Sequence, residues 1–512
     1  MIEENKSSMK NSVRRIIIAG IGVLIQIIWV VVLLMRLNEY SQIITLLTVA
    51  IELVLVLAVY SMDTNAAFKL PWIILITVAP IVGICVFFLF GRSGATKKVR
   101  ARYRKIDQQL FAYLNQDEQI IEELSKKDER LANDFKYLWK CVSSPVYKNT
   151  DVKYYGDTCD AMAAQLEDMM QAKKFIFLEY HAIEMAESFQ ALRKVLMAKA
   201  REGVEIRILY DDAGCIGFLN PRFIKYMESM GIQCRVFNPI MPVLNIFMNN
   251  RDHRKITVID GKVAYTGGYN LADEYFNITH PYGQWKDSGI RFEGDAVQTA
   301  TILFLEMWNA LREQDVDIEK YLPVYPYKAK EQGFFALYGD SPLDKEPAGE
   351  NVYMNLLRHA KKYIYFTTPY LILSDEMTRE LTGAAKRGVD VRIITPGIPD
   401  KKTIFQVTKS YYPQLLKHGV KIYEYTPGFM HEKQCICDGE IVVVGTINLD
   451  FRSLYLHFEN AALFCGYEAV SHVKEDFDAL FPICKDMSKE PSERTRRLRL
   501  SQLILRLFSP LM

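Results

Sequence analysis

A single pattern, written into this chain twice, constrains its fold more than any other feature. His253, Lys255 and Asp260 in HRKITVID recur as His431, Lys433 and Asp438 in HEKQCICD, with the same HxKxxxxD spacing. After each aspartate an identical interval brings Gly267, Gly268 and Asn270 in GGYN, and Gly445, Thr446 and Asn448 in GTIN. One bare match in a chain this long arises by chance with odds of roughly a few per cent, so two extended copies mark an internal repeat. The flanks repeat too: REGVEIRILYDD aligns with KRGVDVRIITPG, and GIQCRVFNP with GVKIYEYTP, each shortly before its motif.

The repeated stretches have a secondary-structure signature. Residues 174–180 read as a strand, 189–201 as a helix and 204–210 as a second strand, and residues 363–368, 376–387 and 389–395 give the same order. Such alternation implies right-handed βαβ units and mainly parallel or mixed sheets. The expected fold class is therefore α/β, two tandem halves that divide near Gln332.

The motif residues suit phosphorus chemistry. On a strand, alternate side chains share a face, so His253 projects with Lys255, and His431 with Lys433. One copy supplies half a site. Two copies facing each other would set two imidazoles on opposite sides of one phosphorus, with two ammonium groups and the Asn270 and Asn448 amides around its oxygens. Phosphoryl transfer needs positioning, charge neutralisation and an activated nucleophile, and this set supplies all three. Nothing in it demands a metal, and no phosphate-cradling glycine loop is present, so neither a metal nor another cofactor is expected.

This constellation resembles the phospholipase D superfamily, whose paired HKD motifs form one active site between two similar halves. The segments EYHAIE, TGGYNLADEY, WKDSGIRFEG, TTPYLILSDE, GFMHEKQCICDG and VGTINLDFRSLYLHFEN are similar to those of the bacterial cardiolipin synthases within it, and the likeness runs from about residue 70 to 512. The resemblance implies a pair of α-β-α sandwich halves in one pseudo-two-fold catalytic unit. It also implies a two-step phosphatidyl transfer between two phosphatidylglycerol molecules, giving cardiolipin and glycerol through a phosphohistidine. A phospholipase D-type hydrolase, or a transferase using another alcohol, would employ the same residues.

Roles follow from the same resemblance. His253 is the expected nucleophile and His431 the acid that protonates the departing alkoxide, with the reverse assignment left open. Lys255, Lys433, Asn270 and Asn448 would hold the non-bridging oxygens. Asp260 and Asp438 belong to the motif, either touching substrate or bracing strand and loop. A nucleophilic histidine needs a partner on its other nitrogen; Glu459 fits the superfamily's orienting carboxylate, and Asp287 in WKDSG is its first-half counterpart. His457 departs from the family, which usually shows asparagine there. His181, His280, His359, His418 and His472 read as structural.

Composition narrows the partners. A net charge of +2 gives no support for nucleic-acid binding. Nine scattered cysteines fit free thiols in a reducing compartment better than disulfides. Residues 16–35, 43–60 and 70–90 are apolar runs, each of a length able to cross a hydrocarbon core of about 30 Å. They predict two or three transmembrane helices in a bacterial cell membrane, beginning with a signal anchor. Seven basic residues from Arg92 to Lys105 place that segment, and the catalytic body after it, on the cytoplasmic side. The basic amino terminus asks for the same side, which three full crossings would forbid. Glu52, costing on the order of 3 kcal/mol at mid-membrane, marks the second run as shallow, re-entrant or packed on a neighbour.

The expected organisation is a membrane anchor over residues 1–92, a basic helical connector over 93–144, halves over 145–331 and 332–486, and an amphipathic tail over 487–512. In the tail, Leu500, Leu503, Ile504 and Leu507 share a helical face, with Arg496, Arg497, Arg499 and Arg506 available for anionic lipids. An interfacial helix is favoured there over packing on the body. Between Pro239 and His253 lie thirteen residues, including the apolar IMPVLNIFM, against three between Pro427 and His431. This insertion is either a loop tucked into the core or a hydrophobic lip beside the site. Homo-oligomer formation and acyl preference are left open by the sequence.

Overall fold

The computed structural model describes residues 42–88, 97–219, 222–240, 249–312, 315, 317–490 and 500–511, with scattered positions between 24 and 35. Nine strands come from the first half: β1 (Thr150–Tyr155), β2 (Phe175–Tyr180), β3 (Glu205–Asp211), β4 (Gln233–Phe237), β5 (Arg251–Asp252), β6 (Lys255–Ile259), β7 (Val263–Gly267), β8 (Gln284–Lys286) and β9 (Gly289–Gly294). The second half answers with eight, β10 (Phe334–Asp340), β11 (Tyr363–Thr367), β12 (Asp390–Pro396), β13 (Lys421–Tyr425), β14 (Gly428–Met430), β15 (Gln434–Cys437), β16 (Ile441–Gly445) and β17 (His457–Cys465), the last matching β8 and β9 together, and adds β18 (Cys484–Asp486).

Two mixed sheets result, ordered β1-β9-β7-β6-β2-β3-β4 and β10-β17-β16-β15-β11-β12-β13-β18. Strand for strand the second order repeats the first, with parallel pairs at β2–β3 and β3–β4 matched by β11–β12 and β12–β13. The central strands are apolar runs because both faces are covered. In β2, for example, all six residues of FIFLEY are buried. Phe175 and Phe177 face a core shared by both halves, while Ile176 and Leu178 face the outer layer of their own half.

That shared core is the centre of the molecule. It joins Phe177, Phe292 and Ile256 of the first sheet to Phe335, Val444 and Phe464 of the second. Between the sheets lie the helices Val297–Leu311 and Glu468–Leu480, which close the two halves. The first touches β4, β6, β7, β9 and also β10 of the other half; the second touches β15 and β16 and also β1. The connector helix Lys97–Leu110 buries Tyr103, Ile106 and Leu110 against the shared core, and Tyr103 stacks on Phe458 at 5.4 Å.

The amino-terminal region departs from expectation. Most of the first apolar run lies outside the described residues. The second forms the helix Gln42–Tyr60, but the third is two helices, Ala66–Val78 and Pro80–Val86. Among the described residues no helix is long and apolar enough to cross a membrane. The two or three expected transmembrane helices are therefore not found among them. Proline disfavours the helical region for the residue before it, and Ala79 sits at φ −137° and ψ 72°. The chain folds back there so tightly that a Cβ on Gly83 would lie 2.5 Å from the Ile76 Cα. Thirteen residues of helix rise only about 20 Å, short of a hydrocarbon core. This hairpin docks on the second half, where Phe68 packs edge-on against Phe451 and Tyr455 and Asn65 donates to Glu376 and the Tyr455 hydroxyl.

At the other end, the helix Leu500–Leu507 packs on the body through Gln502, Leu505 and Arg506, whose guanidinium lies 4.0 Å above the Tyr411 ring. Leu500, Leu503, Ile504 and Phe508 stay exposed. Docking on the body and an apolar outer face therefore coexist. The basic stretch 491–499 and residues 241–248 of the insertion lie outside the described residues.

Candidate active site

The motif is not one continuous strand. His253 and Arg254 lie in a break between β5 and β6, and 431–433 in a break between β14 and β15, which corrects the expectation that each H-x-K runs along a strand. The cause lies in the pairing partners. The two residues of β5 pair parallel with β17 of the other half, and His253 N donates to Phe458 O at 2.9 Å. The three residues of β14 pair parallel with β8 of the first half, and His431 N donates to Lys286 O at 2.8 Å. After each histidine the chain leaves its neighbour's strand and joins its own sheet.

One residue further along each partner strand stands a carboxylate. His253 Nδ1 lies 2.9 Å from both carboxylate oxygens of Glu459, and His431 Nδ1 lies 2.5 Å from Asp287 Oδ2. Each imidazole is therefore held by the opposite half. With Nδ1–H donated to a carboxylate, the lone pair sits on Nε2, the state required of a nucleophile or base. Glu459 also accepts from Thr446 Oγ1 at 2.5 Å and Ser453 Oγ at 2.7 Å. Gly268 occupies the position of Thr446 in the first copy. A Cβ on Gly268 would fall 2.1 Å from Asp287 Oδ1, which accounts for GGYN in one half and GTIN in the other.

Burial dominates the electrostatics. Removal from water, with the charges of Lys255 and Lys433 and the nearby His431, holds His253 well below its ordinary pKa; burial and the same lysines do so for His431. Both shifts favour the neutral ring, the form in which His253 can attack, while His431 has to take up a proton before it can act as an acid. Lys255 is lowered to about 8 and Lys433 to about 7, in each case chiefly by burial. Asp287 is raised to about 6 by burial, against the pull of Lys433. Lys255 Nζ donates to His253 O at 2.7 Å, and Lys433 Nζ contacts His431 O and, at 2.8 Å, His431 Nδ1.

The remaining residues divide. Asp260 accepts from the backbone amides of Lys173, Lys174 and Phe175, and Asp438 from those of Lys361, Lys362 and Tyr363. Both sit at the far end of the motif strand, so the geometry fits bracing of β2 and β11 and not contact with substrate. Asn270 accepts from Ala182 N and donates to the Tyr275 hydroxyl, so its amide is engaged. Asn448 has a buried Oδ1 without a hydrogen-bond partner.

Sequence reasoning missed the walls of the site. His181, read as structural, stands 5.0 Å from His253 ring to ring, with Nδ1 2.7 Å from Asp252 O. His457 lies 5.6 Å from His253, ring to ring. Around His431 the walls are Trp285, Tyr275 and Phe429, at 5.0, 5.2 and 5.8 Å. Trp285 precedes Asp287 by two residues, as His457 precedes Glu459, so a flat ring at that register was legible in the repeat. The one donor cluster among the described residues with metal-ligand geometry is His253, His457 and Glu459.

A family model described as "Cardiolipin synthase, PLD-like domain" matches residues 166–308 and 353–481, one match over each motif. A cardiolipin synthase of Halalkalibacterium halodurans is 32% identical over 442 residues, covering 86% of this chain and 87% of its own length. The chain belongs to the cardiolipin synthase, phospholipase D-like family. An uncharacterized protein of Streptococcus mutans is 39% identical, covering 90% of this chain and 99% of its own. The crystal structure of phosphatidylserine synthase from Haemophilus influenzae is 14% identical and superposes with a TM-score of 0.53 over 70% of this chain and 93% of that one, which shows the shared fold. In this member of the cardiolipin synthase family the first matched segment takes in β2 to β9 and the second β11 to β17.

Proposed function

We propose that this protein is a cardiolipin synthase, a phosphatidyltransferase that joins two phosphatidylglycerol molecules with release of glycerol. Family membership supports the lipid substrate and the reaction. The observation that carries the chemistry is the crossed bracing of His253 by Glu459 and His431 by Asp287.

In the first step, which starts with His431 protonated on both nitrogens, His253 Nε2 attacks phosphorus, the bond to the glycerol oxygen breaks, and His431 Nε2 gives that oxygen its proton. In the second, His431 takes the proton from a hydroxyl of another phosphatidylglycerol, that oxygen attacks phosphorus, and the P–N bond breaks. The phosphodiester bond energy stays in the intermediate, so no nucleotide is needed. An asymmetry supports this assignment of roles. His253 Nδ1 meets a carboxylate alone, whereas His431 Nδ1 meets both Asp287 and the Lys433 ammonium. A carboxyl titrating at about 6 beside an ammonium at about 7 keeps exchangeable protons next to His431 near neutral pH. Lys255 and Lys433 neutralise the phosphoryl oxygens, Asn448 offers an amide, and Asn270 acts through Tyr275.

Membrane attachment is part of this reading. The helix Gln42–Tyr60 exposes Leu46, Leu47, Leu53, Val54 and Leu57, and the tail helix exposes Leu500, Leu503 and Ile504, surfaces that fit acyl chains and not water. We place residues 1–92 as the anchor in a bacterial cell membrane, with the basic segment after it, and hence the catalytic body, on the cytoplasmic face.

Purified protein incubated with phosphatidylglycerol vesicles alone tests the proposal. The expected products are cardiolipin and glycerol in equal amounts, absent from His253→Ala. Phosphatidic acid as sole product would make the protein a hydrolase, and no product without an added alcohol would make it another phosphatidyltransferase.

A further inference from the structure

His457 has no task in the scheme above. Its side chain is 12% exposed, yet both ring nitrogens are shielded and neither has a hydrogen-bond partner. At the equivalent register the first half carries Trp285, which packs on His431. Packing against the reactive ring therefore needs only a flat side chain, and the two nitrogens of His457 are surplus to it.

Those nitrogens complete a donor set. His253 Nδ1 lies 2.9 Å from Glu459, His457 Nδ1 lies 3.6 Å from Glu459 Oε1, and a donor atom from each of the three residues falls within 4.8 Å of the others. Zinc bonds nitrogen and carboxylate oxygen at about 2.0–2.2 Å, which sets tetrahedral donors about 3.3 Å apart, so the two pairs with Glu459 are already near that spacing and the two imidazoles must close by up to about 1.5 Å. Two imidazoles and one carboxylate, with an open fourth position, are a donor set typical of zinc. Burial keeps both imidazoles neutral, the form that ligates, with His457 lowered to about 3.

We propose that His253, His457 and Glu459 form a binding site for a divalent transition metal, Zn²⁺ being the best fit, and that the bound metal shuts off phosphatidyl transfer. The inference rests on His253 being a reacting group, as proposed above. A neutral imidazole carries one proton. When a metal takes the Nδ1 lone pair, that proton resides on Nε2, and the lone pair that would attack phosphorus is gone. Glu459 is drawn into the metal's coordination shell in the same event and no longer accepts from His253. No electron or group is transferred, and removing the metal restores the Nδ1–H tautomer.

The second half supplies an internal contrast. Among the described residues no third His, Cys or carboxylate donor joins His431 and Asp287, and Trp285 stands where His457 does. Sensitivity to the metal should therefore depend on the one imidazole at position 457.

The experiment pairs cobalt spectroscopy with transfer assays on the full-length protein. Co²⁺ titrated into the wild type should give visible ligand-field bands of low coordination number, lost in His457→Phe, which keeps a ring against His253. Zn²⁺ should inhibit conversion of phosphatidylglycerol reversibly, with full recovery on adding EDTA. Relative to each protein's own metal-free rate, His457→Phe should need about 30-fold more zinc for half inhibition. Equal sensitivity of variant and wild type would overturn the proposal and point to the exposed thiols Cys141 and Cys159. So would an uninhibited wild type at millimolar zinc. His457→Asn repeats the comparison should the Phe variant not fold, as judged by circular dichroism. A failure of the transferase reading is seen separately, as absence of cardiolipin without metal, and leaves the cobalt signal intact.

Discussion

Glu459 and Asp287 do their work through an imidazole each, and their loss should show in rate before it shows in stability. Glu459→Gln and Asp287→Asn should each lower kcat by about 10³-fold, by removing the charge that fixes the tautomer and stabilises the imidazolium, with little change in the melting curve. The pH profile of kcat/KM has a sign that the buried groups set. Asp287 ionises above about 6, and the lysines lose charge as pH rises through about 7 and 8. Activity should therefore climb through about 6, begin to decline above about 7 and fall more steeply above about 8, and Asp287→Asn should flatten the acid limb. Asp260 and Asp438 should behave in the opposite way. Each satisfies three amides at the start of a strand, from a left-handed φ of 54°. Asp260→Ala should lower unfolding free energy by about 2–4 kcal/mol in a urea titration while the rate per folded molecule holds. The twin histidines and lysines were legible because a repeated spacing exposes them. His181 and the insertion of Trp285 beside His431 were not, because a lone ring in a sequence carries no sign of what it faces.

At the level of elements, the long strands were readable and the short ones were not. Residues buried on both faces announce themselves as apolar runs, so β2, β3, β11 and β12 fell within a residue or so of expectation. The two residues of β5 and three of β8 and β14 have no periodicity to detect, yet they cross between halves and hold the histidines. Pro80 was visible, but the reversal it permits depends on Gly83 meeting the Ile76 backbone, a contact that only the fold reveals. The tail helix gives a prediction at this scale. Leu503→Gln with Ile504→Gln should weaken co-sedimentation with anionic vesicles several-fold and leave the thermal transition in place, since Gln502, Leu505 and Arg506 make the docked face.

The whole molecule is one body with two genealogies of sequence. Because the largest core draws side chains from both sheets, the halves should not melt apart. Calorimetry of the body should give a single transition, and two resolved peaks would contradict the shared core.

The crossing of the histidines' supports also has a consequence in time. His253 is synthesised roughly two hundred residues before Glu459. Until that later carboxylate is made and folded against it, the imidazole has nothing to hold its proton on Nδ1. The proposed nucleophile is therefore assembled only when both halves exist, and a first half made alone should be inert.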